Sequence, residues 1–141
     1  MTVKAMEFTI DHNDANVTKS TGTAAVMTSI FKYKVPRHTA ILIRPTDILS
    51  AYFKDAGAES LGTDPFQLVV KDPNGISQEI IASGMYTTIK EFQDANKTKK
   101  LGKARLIKSD YEVDLQLKAT TVTVVASNYF QLTCLRYAET L

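Results

Sequence analysis

Alternation of apolar and polar positions runs through the chain and is clearest in its final third. From Tyr111 to Lys118, Tyr111, Val113, Leu115 and Leu117 fall on one side, and Glu112, Asp114, Gln116 and Lys118 on the other. Successive strand side chains point to opposite faces, so this segment reads as a half-buried antiparallel strand. Thr121 to Ala126 repeats the pattern with Val122, Val124 and Ala126 inward. Tyr129 to Tyr137 sets Phe130, Leu132 and Cys134 on one face. Its opposite face, with Tyr129, Leu135 and Tyr137, carries large side chains where solvent is expected.

Earlier strands follow the same rule. Val3 to Ile10 aligns Met6, Phe8 and Ile10. Met27 to Val35 sets Met27, Ser29, Phe31, Tyr33 and Val35 against Thr28, Ile30, Lys32 and Lys34. Thr39 to Arg44 is a short apolar run stopped by Pro45. Phe66–Lys71 and Ile76–Ala82 flank Asp72-Pro73-Asn74-Gly75, with proline and glycine where a type I turn favours them, which predicts a β-hairpin. Thr46 to Gly57 fits a helix capped at Thr46 or Asp47, or a strand bearing Leu49, Ala51 and Phe53; its strand neighbours favour the strand. Met85 to Ala95 has Met85, Ile89 and Phe92 at helical spacing and reads as a short helix or an irregular crossover. The expected fold is all-β: an antiparallel β-sandwich, jelly-roll-like, of about eight to ten strands with at most one short helix. One domain over 1–141 is expected, with 1–24 forming an N-terminal strand plus an extended arm, since 11–24 is almost wholly polar.

Composition narrows the partners. The chain has 141 residues, one cysteine and a net charge of +2 from 17 basic and 15 acidic residues. No intramolecular disulfide can form, and no run approaches the ~20 apolar residues of a membrane span. The N-terminal residues lack the apolar core of a signal peptide, so cytoplasmic synthesis without membrane insertion is the expectation. The net charge is too small for nucleic acid to be the main partner. Basic residues nevertheless cluster: Lys97, Lys99, Lys100, Lys103, Arg105 and Lys108 form a stretch without an acid, and it lacks the interleaved aromatics of single-strand binders.

Catalytic machinery is not legible. His12, His38 and Cys134 are the scarce nucleophile and base candidates, and Cys134 lies on an apolar face. Asp11-His12-Asn13-Asp14 reads as a solvated turn rather than a metal site, for lack of companion ligands. Asp110, Glu112 and Asp114 read as a charged solvent face that discourages stray strand pairing. No enzyme, cofactor or metal is therefore expected.

Lys34-Val35-Pro36, Ile43-Arg44-Pro45-Thr46-Asp47, Tyr52-Phe53-Lys54-Asp55, Val69-Val70-Lys71-Asp72-Pro73-Asn74-Gly75 and the closing stretch from Tyr129 to Leu141 resemble small β-sandwich virion proteins of tailed bacteriophages. The resemblance implies a capsid decoration or cement protein: a non-enzymatic homo-oligomer, often a homotrimer, that coats a shell of major capsid protein and reinforces it. It implies a virion location on the capsid surface, with no membrane and no specific nucleic acid as partner. The candidate interface comprises the arm (Asn13, Asn16, Val17, Lys19), the basic stretch (Lys97, Lys99, Lys100, Lys103, Arg105) and the outer face of the last strand (Tyr129, Leu135, Tyr137). The alternative is a ligand- or carbohydrate-binding β-sandwich module using Tyr33, Tyr52, Tyr86 or Tyr111 as platforms.

Overall fold

The computed structural model describes residues 2–20, 26–52, 65–85, 99–100, 104–118 and 129–140. Among them there is no helix. The strands are β1 (Thr2–Asp11), β2 (Val17–Lys19), β3 (Met27–Lys34), β4 (Thr39–Ile43), β5 (Ile48–Tyr52), β6 (Pro65–Lys71), β7 (Ser77–Met85), β8 (Lys99–Lys100), β9 (Arg105–Ile107), β10 (Glu112–Lys118) and β11 (Tyr129–Thr140). All pairings are antiparallel. The strand preferred for Thr46 to Gly57 is β5 as far as Tyr52. Residues 53–57, the segment 86–98 that contains most of the alternative helix, and the strand expected over Thr121 to Ala126 lie outside the described residues.

The register reveals a simple plan. Leu132 faces Ile10 on one side and Leu49 on the other, while Leu135 faces Glu7 and Leu42. β4 and β5 therefore lie end to end on the flank of β11 opposite β1, as one interrupted strand. β9 and β8 line them in a single register, with Ile41 facing Ile107 and Ile48 facing Lys100. The first sheet thus has four rows: β1, β11, β4 with β5, and β9 with β8. The second runs β2-β3-β10-β6-β7. Apart from the short β2, pairing is nested: β1 with β11, β3 with β10, β4/β5 with β8/β9, β6 with β7. A long hairpin ribbon folded over itself gives that pattern, and it is the eight-stranded jelly roll.

The two inner faces form the core. Ile10, Ile41, Ile43, Leu49, Leu132 and Cys134 from the first sheet meet Tyr33, Phe66, Leu68, Val70, Val113, Leu115 and Leu117 from the second. Phe31 and Phe130 stack between the layers at 5.4 Å and 18°. Burial pushes the Tyr33 hydroxyl and the Cys134 thiol each up to about 12.

Two departures from strict alternation have one cause. Leu115 faces Phe31 but Gln116 faces Ser29, so Ile30 is an extra residue in a bulge. Ile30 and Phe31 both reach the core, and the expected common face of Met27, Ser29 and Phe31 is broken there. Likewise Leu68 faces Ala82 and Val69 faces Ile80, leaving Ile81 extra and buried. Along β1 only Ile10 is fully buried, while Met6 remains 45% exposed opposite Arg136.

The hairpin between β6 and β7 closes as the sequence implies. Gly75 N–H donates to Asp72 O at 2.9 Å, and Asp72 Oδ1 accepts from the Asn74 and Ile76 amides. Gly75 has φ +81°, and a Cβ there would meet nothing within 4 Å. The Gly75→Ala cost is therefore conformational alone, about 1 kcal/mol, read as a lower urea midpoint with an unchanged slope.

Candidate interaction surface

The outer face of the four-row sheet gathers apolar side chains in adjacent rows. Leu106, Leu42 and Leu135 lie side by side across three strands, and Ala40, Tyr137 and Ala5 form the next row. A shallow depression of about 420 Å³ is lined by Ala40, Leu42, Leu106 and Tyr137. A second, of about 350 Å³, continues from it past Val3, Thr39, Lys108 and Ser109 to His38 and Glu139. Val3 and Leu106 are 60% and 50% exposed. Apolar residues at the centre with charged ones around them are the arrangement of a protein interface. Leu135 and Tyr137 were legible as part of it; Leu42 and Leu106 were not, because their neighbourhood depends on pairings between distant strands.

A polar clamp borders this patch where β4 gives way to β5. Asp47 N–H donates to Arg44 O, closing a turn with Pro45 second. The Arg44 guanidinium makes a bidentate contact with Glu7 of β1, both at 2.6 Å, and also reaches Asp47. Asp47 is 2% exposed; it accepts from the Arg44 amide and from Thr133 Oγ1 of β11. Burial alone would raise the Asp47 carboxyl, but these hydrogen bonds outweigh it and hold it below the usual value. The Arg44 hydrogen bond does the same for Glu7. Both folded pKa values are depressed, so this stability is complete above the unfolded value of ~4. It is lost as pH falls through the lower folded values. Asp47→Ala is expected to cost about 2 kcal/mol at pH 7, and Asp47→Asn to flatten the acid side of the stability profile; urea melts from pH 2 to 7 test both.

The other candidate interface residues do not converge on this face. Asn13 and Asn16 sit in tight turns, where their amides bond to the Asp11 and Asp14 carboxylates. The polar stretch returns to the body as β2, where Val17 packs on the core and Lys19 faces solvent. It does not extend away as an arm over residues 11–20; residues 21–24 lie outside the described set. The basic stretch is not one loop: Lys99 and Lys100 form β8, while Arg105 belongs to β9 and lies 2.8 Å from Glu79 of β7 in the other sheet. Lys97, Lys103 and the side chain of Tyr129 lie outside the description.

No protein-family model matches the chain, and no curated protein does. Solved structures do. One is VP17, a capsid protein of bacteriophage P23-77, with TM-score 0.68 and 7% identity over 100% of both chains. Another is the VP16–VP17 complex of the two major capsid proteins of the same phage, with TM-score 0.69 and 8% identity, covering 94% of this chain and 98% of that one. What is shared at such identities is the fold, the jelly roll traced above.

The remaining chemical candidates resolve into structure. His12 N–H bonds to Phe130 O, and His38 Nδ1 lies 2.9 Å from Glu139 Oε2 beside the far end of β11. The nine residues from 130 to 139 place these histidines roughly 30 Å apart at ~3.3 Å per residue, and neither joins Cys134 in a site. No group of three metal-ligating side chains exists among the described residues. Tyr33 is in the core and offers no platform for a sugar. The charged face expected on β10 is corrected most strongly: Asp114 points away from the core yet is fully buried. Its Oδ2 accepts from Ser29 Oγ at 2.7 Å and Gln116 Nε2 at 2.9 Å, and Lys71 Nζ lies at 2.7 Å. The bulge at Ile30 is what turns Ser29 to that side.

Proposed function

We propose that this chain is a non-enzymatic structural protein of a bacteriophage virion, held in the shell by contacts with other capsid proteins through the outer face of its four-row sheet. One observation carries the reading: the entire chain follows the jelly roll of a phage capsid protein, and its outward sheet face presents Leu42, Leu106, Leu135 and Tyr137. The finer form of the proposal is a decoration or cement protein that binds the outside of the shell and reinforces it, associating with itself as a homotrimer. The patch is shallow and crosses the four rows, roughly 15 Å at ~4.8 Å per row. Many weak contacts summed over a lattice suit such a patch. Asn13, Asn16, Lys19 and Arg105 would touch other neighbours, since they lie away from it.

Co-sedimentation tests this. The chain is expected to pellet with shells assembled from the other capsid proteins of its virus, and Leu42→Asp is expected to lower the bound fraction at least tenfold while the fold survives. Wild-type chain that stays in the supernatant overturns the reading. Binding to finished shells, rather than incorporation during assembly alone, supports the decoration role.

A further inference from the structure

Among the described residues, four edges border the two sheets, and they are guarded unequally. β2 has three residues; β7 is kinked by two register shifts; β8 and β9 are short pieces carrying Lys99, Lys100 and Arg105. Short, bulged or charged edges resist the addition of a further strand. β1 has only side-chain charges among these defences, Lys4 on its inward side, Glu7 held by Arg44 on its outward side and Asp11 at its end: ten residues without proline or bulge, in one unbroken register with β11. Every residue from Val3 to Glu7 is exposed, so this half of β1 overhangs the second layer and is open on both faces as well as along its edge.

The inward side of the overhang is basic. Lys4 and Arg136 point there and have no carboxylate partner among the described residues. The Arg136 guanidinium lies 5.0 Å over the Phe8 ring, and its Nε is closed off from solvent with no acceptor.

We propose that the free edge of β1 is an acceptor for an extended, acidic segment of another polypeptide, which adds as a fifth row and sets carboxylates beside Lys4 and Arg136. Main-chain pairing supplies affinity in such additions, and alternate side chains supply selectivity. A second copy of this chain fits poorly. Antiparallel pairing of two β1 strands about a two-fold keeps each face on its own side, so it would bring Lys4 and Arg136 of both copies together. The proposal rests on the shell reading only for where the segment comes from, another virion protein.

The test uses the full chain and two labelled decapeptides, one alternating threonine and glutamate, the other threonine and lysine. Fluorescence anisotropy at low salt is expected to show the glutamate peptide binding at least tenfold more tightly. Arg136→Gln and Lys4→Glu, the latter at an exposed position, should each weaken it at least fivefold. Equal affinities, no saturation of either peptide at millimolar concentration, or unchanged binding by both variants would overturn the proposal. So would a concentration-dependent dimer abolished by Lys4→Glu, which assigns the edge to self-association. Each of these outcomes leaves the co-sedimentation result untouched, so the two readings fail separately.

Discussion

Replacing Asp114 by alanine is expected to destabilise the domain by about 3 kcal/mol, the low end of the range for breaking a buried ion pair. The low end applies because the Lys71 side chain keeps 18% of its exposure and can recover some hydration, whereas Asp114 keeps none. The loss has two parts. Lys71 would hold a charge without its partner, and the half-buried Ser29 and the buried Gln116 would lose an acceptor. Asp114→Asn should lose less, since an amide oxygen still accepts. Converting Asp114 to leucine and Lys71 to methionine together should restore much of the loss, because an apolar pair removes both charges. Urea unfolding at pH 7 reads all three variants. A loss below 1 kcal/mol for Asp114→Ala would show that the cluster does not hold a buried charge.

Phe31→Ala is expected to cost about 4 kcal/mol. The side chain is 1% exposed and lies between the layers, where neighbouring strands are fixed by their ladders and cannot collapse into the space. Phe130→Ala should cost a similar amount. The rings stack on each other, so the double variant should lose about 1 kcal/mol less than the two single losses combined. Full additivity would mean that the stacked contact contributes nothing beyond ordinary burial.

Much of the jelly roll was readable from side-chain period alone. β10, β11, β4 and the hairpin at Gly75 depend on local rules: alternation, a proline stop, and a glycine at positive φ. The bulge at Ile30 was not readable, because an extra residue disturbs alternation in the same way as any isolated apolar position does. The fate of Asp114 was unreadable for a related reason. Its burial requires Lys71 of β6 beside it and Ser29 of β3 turned outward, and both follow from inter-strand register. For the candidate surface, Leu135 and Tyr137 stood out as large residues on an outward face. Leu42 and Leu106 join them only once β4 and β9 are set beside β11. Arg44 and Asp47 were noted as part of a resemblance and as a cap; their clamp on Glu7 depends on β1 lying two rows away.

The pairing of β1 with β11 also governs when the protein can fold. Asp11 must find Gln131, so roughly 120 residues separate the nearest partners in this ladder. On a ribosome working at ~5–20 residues per second, the first strand waits on the order of ten seconds before its partner emerges. During that interval Phe8 and Ile10 have no cover from β11, and the nascent chain is exposed to mispairing. The ladder that joins β1 to β11 can therefore be completed only after every other described strand has emerged, which leaves β1 without its partner through most of their synthesis.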